Sequence, residues 1–285
     1  MVWREVISKT ARFLDDRNVP DAQVAAELMV ARLLGSGRGF LVSEMEKEAS
    51  ERHLAAMRRG MARLSAGEPI QYVLGEWDFR RLTLKCDRRA LIPRPETEQL
   101  VERVLAHLSA MKGAPGLVVD VGTGTGAIIL SIADEFRGGG AFLGTDVSED
   151  AITLATENAA RCGLSDRVRF AVADGLDDFD EPQSVDVIVS NPPYVATSVC
   201  EKLDRRVRDY EPRLALDGGA EGLDFYERYL ADALNLLKPG GAVFFEIGED
   251  QGDAVSSMMA GYGFTGIKVE KDFAGLDRYA SGVLP

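Results

Sequence analysis

Cysteine and histidine are scarce in this chain, and long apolar runs are missing. Its 285 residues include three cysteines, Cys86, Cys162 and Cys200, and two histidines, His53 and His107. None of these falls at metal-ligand spacing, so no metal site is expected, and no disulfide framework. Free thiols fit a reducing cytoplasm. No stretch offers the roughly 20 apolar residues of a membrane-spanning helix, so no membrane association is expected. At the N-terminus Asp15-Asp16 interrupts any basic amphipathic pattern. Neither a signal nor a transit peptide is therefore expected, and the expected location is cytoplasmic. Positive charge is also in short supply, with a formal net charge of −13. Such a chain gains little from counterion release, so direct nucleic-acid binding is not expected. The short pairs Arg58-Arg59, Arg80-Arg81, Arg88-Arg89 and Arg205-Arg206 read as solvated faces.

A chain of this length suggests two domains, or one domain with an appendage. Residues 1–75 read as helical, because Val2, Val6, Phe13 and Leu14 recur at helical spacing. Pro20-Asp21 starts a second helix carrying Val24, Leu28 and Ala31 on one side. Ser43 and Glu46 match a capping box ahead of the stripe Leu54, Met57, Met61 and Leu64. Residues 76–92 form a connector, in which Trp77-Asp78-Phe79 and Leu82-Thr83-Leu84 predict a β-hairpin. A helix is expected over Glu98–Leu108. From residue 117 strands alternate with helices. The strands are expected at Leu117–Asp120, Ala141–Asp146, Val168–Ala173, Asp186–Ser190, Ala242–Glu246, Ile267–Glu270 and Tyr279–Val283. That alternation predicts an α/β fold with a mostly parallel sheet covered on both faces. The expected division is 1–75 and 76–285.

Ligands of such sheets bind beyond the carboxyl ends of the strands, and three motifs map there. Directly after the first strand comes Asp120-Val121-Gly122-Thr123-Gly124-Thr125-Gly126. Its glycines permit a tight turn and a close backbone approach, and the following helix N-terminus can receive a carboxylate. Asp120 either holds the turn or faces a ligand ammonium. Asp146 ends the next strand, where it either accepts from both hydroxyls of a ribose or caps a helix with Ser148. Asp174-Gly175 follows the third strand and either receives an adenine amino group or forms a turn. Gly122, Gly124 and Ala127 equally satisfy a nicotinamide-type G-x-G-x-x-A, so a dehydrogenase competes at this point.

Asn191-Pro192-Pro193-Tyr194, after the strand ending at Ser190, separates the two. The Pro-Pro step has both φ angles locked. Asn191 accepts and donates, and Tyr194 adds a flat apolar face with a polar tip. This clamp suits a planar group bearing an NH2, whether a carboxamide or a nucleobase amine. Hydride transfer has no use for it, whereas methyl transfer to nitrogen does.

Together, the glycine motif, Asp146 and Asn191-Pro192-Pro193-Tyr194 resemble class I S-adenosylmethionine-dependent amino-methyltransferases. Further stretches are similar to one branch, the peptide chain release factor glutamine methyltransferases (the HemK/PrmC family). They are Gly67–Trp77, Leu91-Ile92-Pro93-Arg94-Pro95-Glu96-Thr97-Glu98, Glu211–Gly219, Phe245-Glu246-Ile247-Gly248 and Lys271–Arg278. The resemblance implies a Rossmann-like seven-stranded sheet with one antiparallel strand. A small all-α N-terminal domain that grips the release factor would precede it. It also implies transfer of a methyl group from S-adenosylmethionine to the glutamine amide of a Gly-Gly-Gln loop, modulating translation termination. On this reading Gly122, Thr123, Gly124, Thr125 and Gly126 hold the methionine end of the cofactor. Asp146 takes the ribose, Asp174 and Gly175 the adenine, and Asn191 borders the cofactor. Asn191 and the Pro192 carbonyl accept the two amide N–H groups, while Pro193 and Tyr194 pack the amide plane. Arg94, Glu96 and Thr97 form either a lid or a turn with a helix cap, and Glu246 is structural. Competing readings are a sibling enzyme acting on a ribosomal protein, a nucleic-acid amino-methyltransferase, and a non-catalytic cofactor-binding module.

Overall fold

The contacts group the chain into two units, and Asp204–Tyr210, inside the expected 76–285 segment, falls with the first. The structure is a computed structural model that describes residues 1–111, 113–177, 179 and 181–285. One unit is Met1–Glu76 with Asp204–Tyr210, and the other is Trp77–Leu203 with Glu211–Pro285.

The first unit contains α1 (Trp3–Asp15), α2 (Ala22–Leu34), α3 (Glu51–Ser65) and α4 (Ile70–Leu74). Their inward stripes bury Trp3, Leu14, Val30 and Met57 against one another. The cap of α3 is Ser50, whose hydroxyl accepts from the His53 N–H, and not the expected Ser43. Ser43 closes a short 3-10 segment, Arg38–Ser43, and donates to the Phe40 carbonyl. Glu46 pairs instead with Arg4. The stretch Glu44-Met45-Glu46-Lys47-Glu48 offers a single apolar side chain, so a helix starting at Ser43 would have no face to bury.

In the second unit a hairpin of β1 (Glu76–Phe79) and β2 (Leu82–Lys85) turns through Arg80, at a φ of 52°. Next come α5 (Pro95–Ala110), β3 (Leu117–Val121), α6 (Ala127–Glu135), β4 (Ala141–Asp146), α7 (Glu149–Arg161), β5 (Val168–Val172) and β6 (Val185–Ser190). Two single-turn helices follow, α8 (Thr197–Cys200) and α9 (Arg205–Arg208), the latter within the first unit's second segment. Then come α10 (Asp224–Leu236), β7 (Leu237–Glu246), α11 (Gly252–Gly261), β8 (Thr265–Lys271) and β9 (Asp277–Val283). Helix α5 starts three residues earlier than expected, since Pro95 at its first position is already set to a helical φ. β7 also starts early. A register shift between Val185 and Val187 lets Lys238–Gly241 join the strand as an irregularity.

The seven strands are ordered β5-β4-β3-β6-β7-β9-β8. β9 runs antiparallel to both neighbours, while β5, β4, β3, β6 and β7 are parallel. This is the Rossmann-like seven-stranded sheet with one antiparallel strand that the resemblance implies. Val118, Val187 and Val189 face one buried cluster, with Ile129 from α6, and Val119, Ile188 and Val243 face the other, with Leu230 from α10. The strand order reverses between β3 and β6, where Val121 pairs with Ser190. Gly122 and Asn191 therefore leave the sheet side by side, at the switch point where such sheets bind ligands.

Candidate active site

A cavity of about 400 Å³ lies at this edge, within the second unit. Gly122 to Thr125, Asp146, Asp174, Gly175, Asn191 and Pro193 all line it. Residues from four strand ends thus meet around one space.

The glycine loop has φ values of 72°, 56° and 82° at Gly122, Gly124 and Gly126. Side chains other than glycine are strained there. Fully buried Asp120 ties the loop down: its carboxylate accepts from the Thr123 hydroxyl at 2.6 Å. Burial raises its pKa to about 7. Of the two roles open to Asp120, the structure shows the first, since it holds the turn. Gly126 does not line the cavity. A Cβ there would lie 2.9 Å from Leu130, so its role is close packing of α6. A Cβ at Gly122 would meet no protein atom within 4 Å, so it would project into the cavity instead.

Asp146 both supports the loop and faces the cavity. One carboxylate oxygen accepts from the Gly124 N–H at 3.0 Å and the other from the Ser148 N–H at 2.9 Å. Burial raises its pKa, against the pull of these two hydrogen bonds. Ser148 in turn caps α7 by accepting from the Ala151 N–H. Asp174 shares its carboxylate with Arg228, which donates to Oδ1 at 2.7 Å and also to Asp177. Tyr229 stands beside Gly175, where a Cβ would come 3.1 Å from its ring.

Of Asn191-Pro192-Pro193-Tyr194, Asn191 and Pro193 line the large cavity, while Tyr194 lines a neighbouring one with Arg278 and Gln251. Pro192 is buried and lines neither. Burial pushes the Tyr194 hydroxyl up to about 12, with the nearby Glu246 carboxylate adding to it. The loop is braced from behind. Val195 N–H donates to the Leu216 carbonyl, Gly218 N–H to the Val195 carbonyl, and the Gln251 amide to the Tyr194 carbonyl. Gly218 and Gly222 allow this approach, because a Cβ at either would come within 2.5 Å of the Pro193 or Tyr194 carbonyl oxygen.

Several contributors were not legible in the sequence. Thr97, only 5 % exposed in the first turn of α5, accepts from the Asn191 side-chain amide at 3.1 Å and donates to Glu246 at 2.7 Å. It also lines the cavity, as does Arg94. Arg94 pairs with buried Glu211, which also accepts from the Ile92 N–H. These contacts join the stretches Leu91–Glu98 and Glu211–Gly219. Asn158, fully buried on α7, joins the Lys85 N–H and carbonyl of β2 to the Thr125 carbonyl of the glycine loop. Nothing in local sequence marks a helical asparagine as such a strut.

Curated relatives match this chain over most of their length. Residues 116–255 match a methyltransferase domain model, and residues 5–75 match a PrmC N-terminal domain model. A release factor glutamine methyltransferase of Moorella thermoacetica is 37 % identical, over 98 % of this chain and 97 % of its own. The Caulobacter vibrioides enzyme of the same name is 35 % identical, over 95 % and 92 %. The chain belongs to the release factor glutamine methyltransferase family. A human member is 35 % identical over 96 % of this chain and 85 % of its own. Among solved structures, a methyltransferase from Pyrococcus furiosus superposes with a TM-score of 0.53 at 19 % identity. It covers 82 % of this chain and 98 % of its own, a likeness of fold.

Family membership makes the chain an S-adenosylmethionine-dependent methyltransferase, which removes the dehydrogenase reading. The donor set fits that cofactor. The open space above Gly122 admits a ligand against the loop, and two carboxylates face the same cavity. Ala173, Phe225 and Tyr229 supply apolar walls for a flat ring. Among the described residues, no helix is long and apolar enough to cross a membrane.

Proposed function

We propose that this enzyme methylates the side-chain amide nitrogen of the glutamine in the Gly-Gly-Gln loop of peptide chain release factors, in the cytoplasm. The observation that carries the reading is the setting of Asn191. Its NH2 is taken up by Thr97, which leaves Oδ1 as the free acceptor at the end of β6, beside the cavity.

When bound, S-adenosylmethionine supplies an electrophilic sulfonium methyl group. Gly122, Thr123, Gly124 and Thr125 hold its amino-acid end, and Gly126 only lets α6 pack closely behind them. Asp146 accepts from the ribose hydroxyls, and Asp174 and Gly175 border the adenine with Tyr229. The chain's harder task concerns the acceptor, because an amide nitrogen shares its lone pair with the carbonyl. Asn191 Oδ1, at the cavity wall, accepts one N–H, fixes the amide plane and pushes electron density onto nitrogen; a second bond, to the carbonyl of Pro192, which lines neither cavity, requires the loop to open toward the acceptor. Pro193, which shares the cavity with Asn191, keeps the plane from rotating, through the rigidity of the Pro-Pro step, while Tyr194 lines the neighbouring cavity and steadies the loop from there. Positioning of this kind supplies a large share of the acceleration in two-reactant steps. The N–CH3 bond would form as the S–CH3 bond breaks, leaving neutral S-adenosylhomocysteine, and the nitrogen would lose its proton to solvent late, once the new bond makes it acidic, so no early general base is required.

Residues 76–285 carry this chemistry, and residues 1–75 dock the release factor. Supporting the docking role are the PrmC N-terminal domain match and two exposed apolar side chains, Phe40 and Val42, on the 3-10 segment. Incubation with methyl-labelled cofactor and separate pools of release factor, ribosomal protein and DNA tests the assignment. Label is expected in the release factor alone. Label confined to ribosomal protein or DNA would refute it.

A further inference from the structure

Asn191 is useful to an incoming NH2 only in one of two orientations. Its side-chain oxygen and nitrogen differ by a half-turn about the last bond of the side chain, and a half-turn would present a donor to a donor. Something must choose. The only side-chain partner of Asn191 among the described hydrogen bonds is the Thr97 hydroxyl. That hydroxyl has a single proton, and its oxygen lies 2.7 Å from a Glu246 carboxylate oxygen. Glu246 is 1 % exposed at the end of β7 and makes no ion pair among the described residues, which is unusual for a buried carboxylate.

We propose that Glu246 is a positioning residue for methyl transfer, acting through Thr97 to set which end of the Asn191 amide faces the acceptor. This rests on the reading of Asn191 as the acceptor clamp. An ionised carboxylate only accepts hydrogen bonds. The Thr97 proton then goes to Glu246, its oxygen is left to accept, and it takes the Asn191 NH2. Oδ1 turns to the cavity as a consequence. A protonated Glu246 reverses the chain. The acid proton satisfies the Thr97 oxygen, the hydroxyl proton is free to bond Asn191 Oδ1, and the NH2 swings toward the acceptor's own NH2. One proton, two residues from the acceptor, thus separates a productive clamp from a repulsive one.

The surroundings put this proton within reach of neutral pH. Groups around Glu246 are Arg94 and Glu96 at the start of α5, Arg278 and Tyr279 on β9, Tyr194 after β6, and Tyr226 on α10. Tyr226 donates to the Glu246 backbone carbonyl and not to its carboxylate. The Arg94 guanidinium is engaged by Glu211, and that of Arg278 by Asp272. Burial outweighs the Thr97 hydrogen bond and these cations, and it raises Glu246 to about 7.

The test compares single-turnover methylation of purified release factor across pH by the full-length wild type, Thr97→Val, Thr97→Ser, Glu246→Gln and Asn191→Ala. Cofactor occupancy is followed by calorimetry with S-adenosylhomocysteine. The wild-type rate is expected to fall on the acid side of about 7, because the productive orientation needs the ionised carboxylate. Thr97→Val keeps the shape but breaks the chain. It should cost roughly 10- to 100-fold in rate, with S-adenosylhomocysteine affinity within about 2-fold. Thr97→Ser should restore most of the rate, and Glu246→Gln should lower the rate and abolish the acid limb. A wild-type rate flat from pH 5.5 to 8.5 overturns the proposal, even if a variant fails to fold. So does Thr97→Val at wild-type rate, or an acid limb retained in Glu246→Gln. If Asn191→Ala is inactive while Thr97→Val is fully active, the relay alone fails. If Asn191→Ala is itself fully active, the clamp reading fails with it.

Discussion

Replacing Asn191 by alanine removes one acceptor from the amide nitrogen and leaves the rest of the site standing. Thr97 keeps its bond to Glu246, the glycine loop keeps its bond to Asp146, and the Pro-Pro backbone is unchanged. Because Asn191 is half-buried and its side chain makes one hydrogen bond, the fold should lose no more than about 1 kcal/mol. The kinetic effect should be larger. The amide N–H becomes more acidic as the new bond forms, so its bond to Oδ1 strengthens toward the charge-assisted range. Losing it should cost about 2–3 kcal/mol in the transition state. At about 1.36 kcal/mol per decade, the rate should fall roughly 30- to 150-fold. Single-turnover kinetics on purified release factor measures this directly, and calorimetry with S-adenosylhomocysteine should show affinity within about 3-fold of wild type. A rate within a factor of about 3 of wild type would refute the clamp. A loss explained entirely by weaker cofactor binding would place Asn191 on the cofactor side alone.

Two further substitutions probe the cofactor side and the scaffold. Asp146→Ala removes a carboxylate that supports the loop and faces the cavity, so S-adenosylhomocysteine affinity should fall by at least roughly 30-fold, from about 2 kcal/mol of charge-assisted hydrogen bonding. Unchanged affinity by calorimetry would take Asp146 out of the site. Asn158→Leu strands the Lys85 N–H and carbonyl and the Thr125 carbonyl. It should destabilise by about 2–4 kcal/mol, a fall in Tm of roughly 5–15 °C. A Tm within about a degree of wild type would deny the strut role.

Much of the fold was legible because its signals are local. β3, β4 and β6 are apolar runs closed by Gly, Asp or Asn, and each was expected within a residue of its observed ends. The glycine loop, Asp146 and Asn191 followed from position at the carboxyl edge. What the sequence concealed depends on long-range pairing. Thr97 and Glu246 are 149 residues apart, and Thr97 and Asn191 are 94 apart. No local pattern distinguishes a threonine that caps α5 from one that orients an amide. Glu246, expected to be structural, is linked to Asn191 through Thr97. The Ser43–Glu46 capping box misled for the opposite reason, since a local match had no apolar face behind it. Tyr194 marks a finer limit. Its place after β6 was evident, but which of two adjoining cavities its ring lines depends on Gln251 and Arg278 from distant elements.

The most direct measurement is a crystal structure of the enzyme with S-adenosylhomocysteine and a glutamine-bearing Gly-Gly-Gln segment of a release factor. The expected result places the glutamine amide nitrogen within hydrogen-bond distance of Asn191 Oδ1, with Asn191 Nδ2 still on Thr97. A glutamine bound away from Asn191, or held with the Asn191 NH2 turned toward it, would contradict the account.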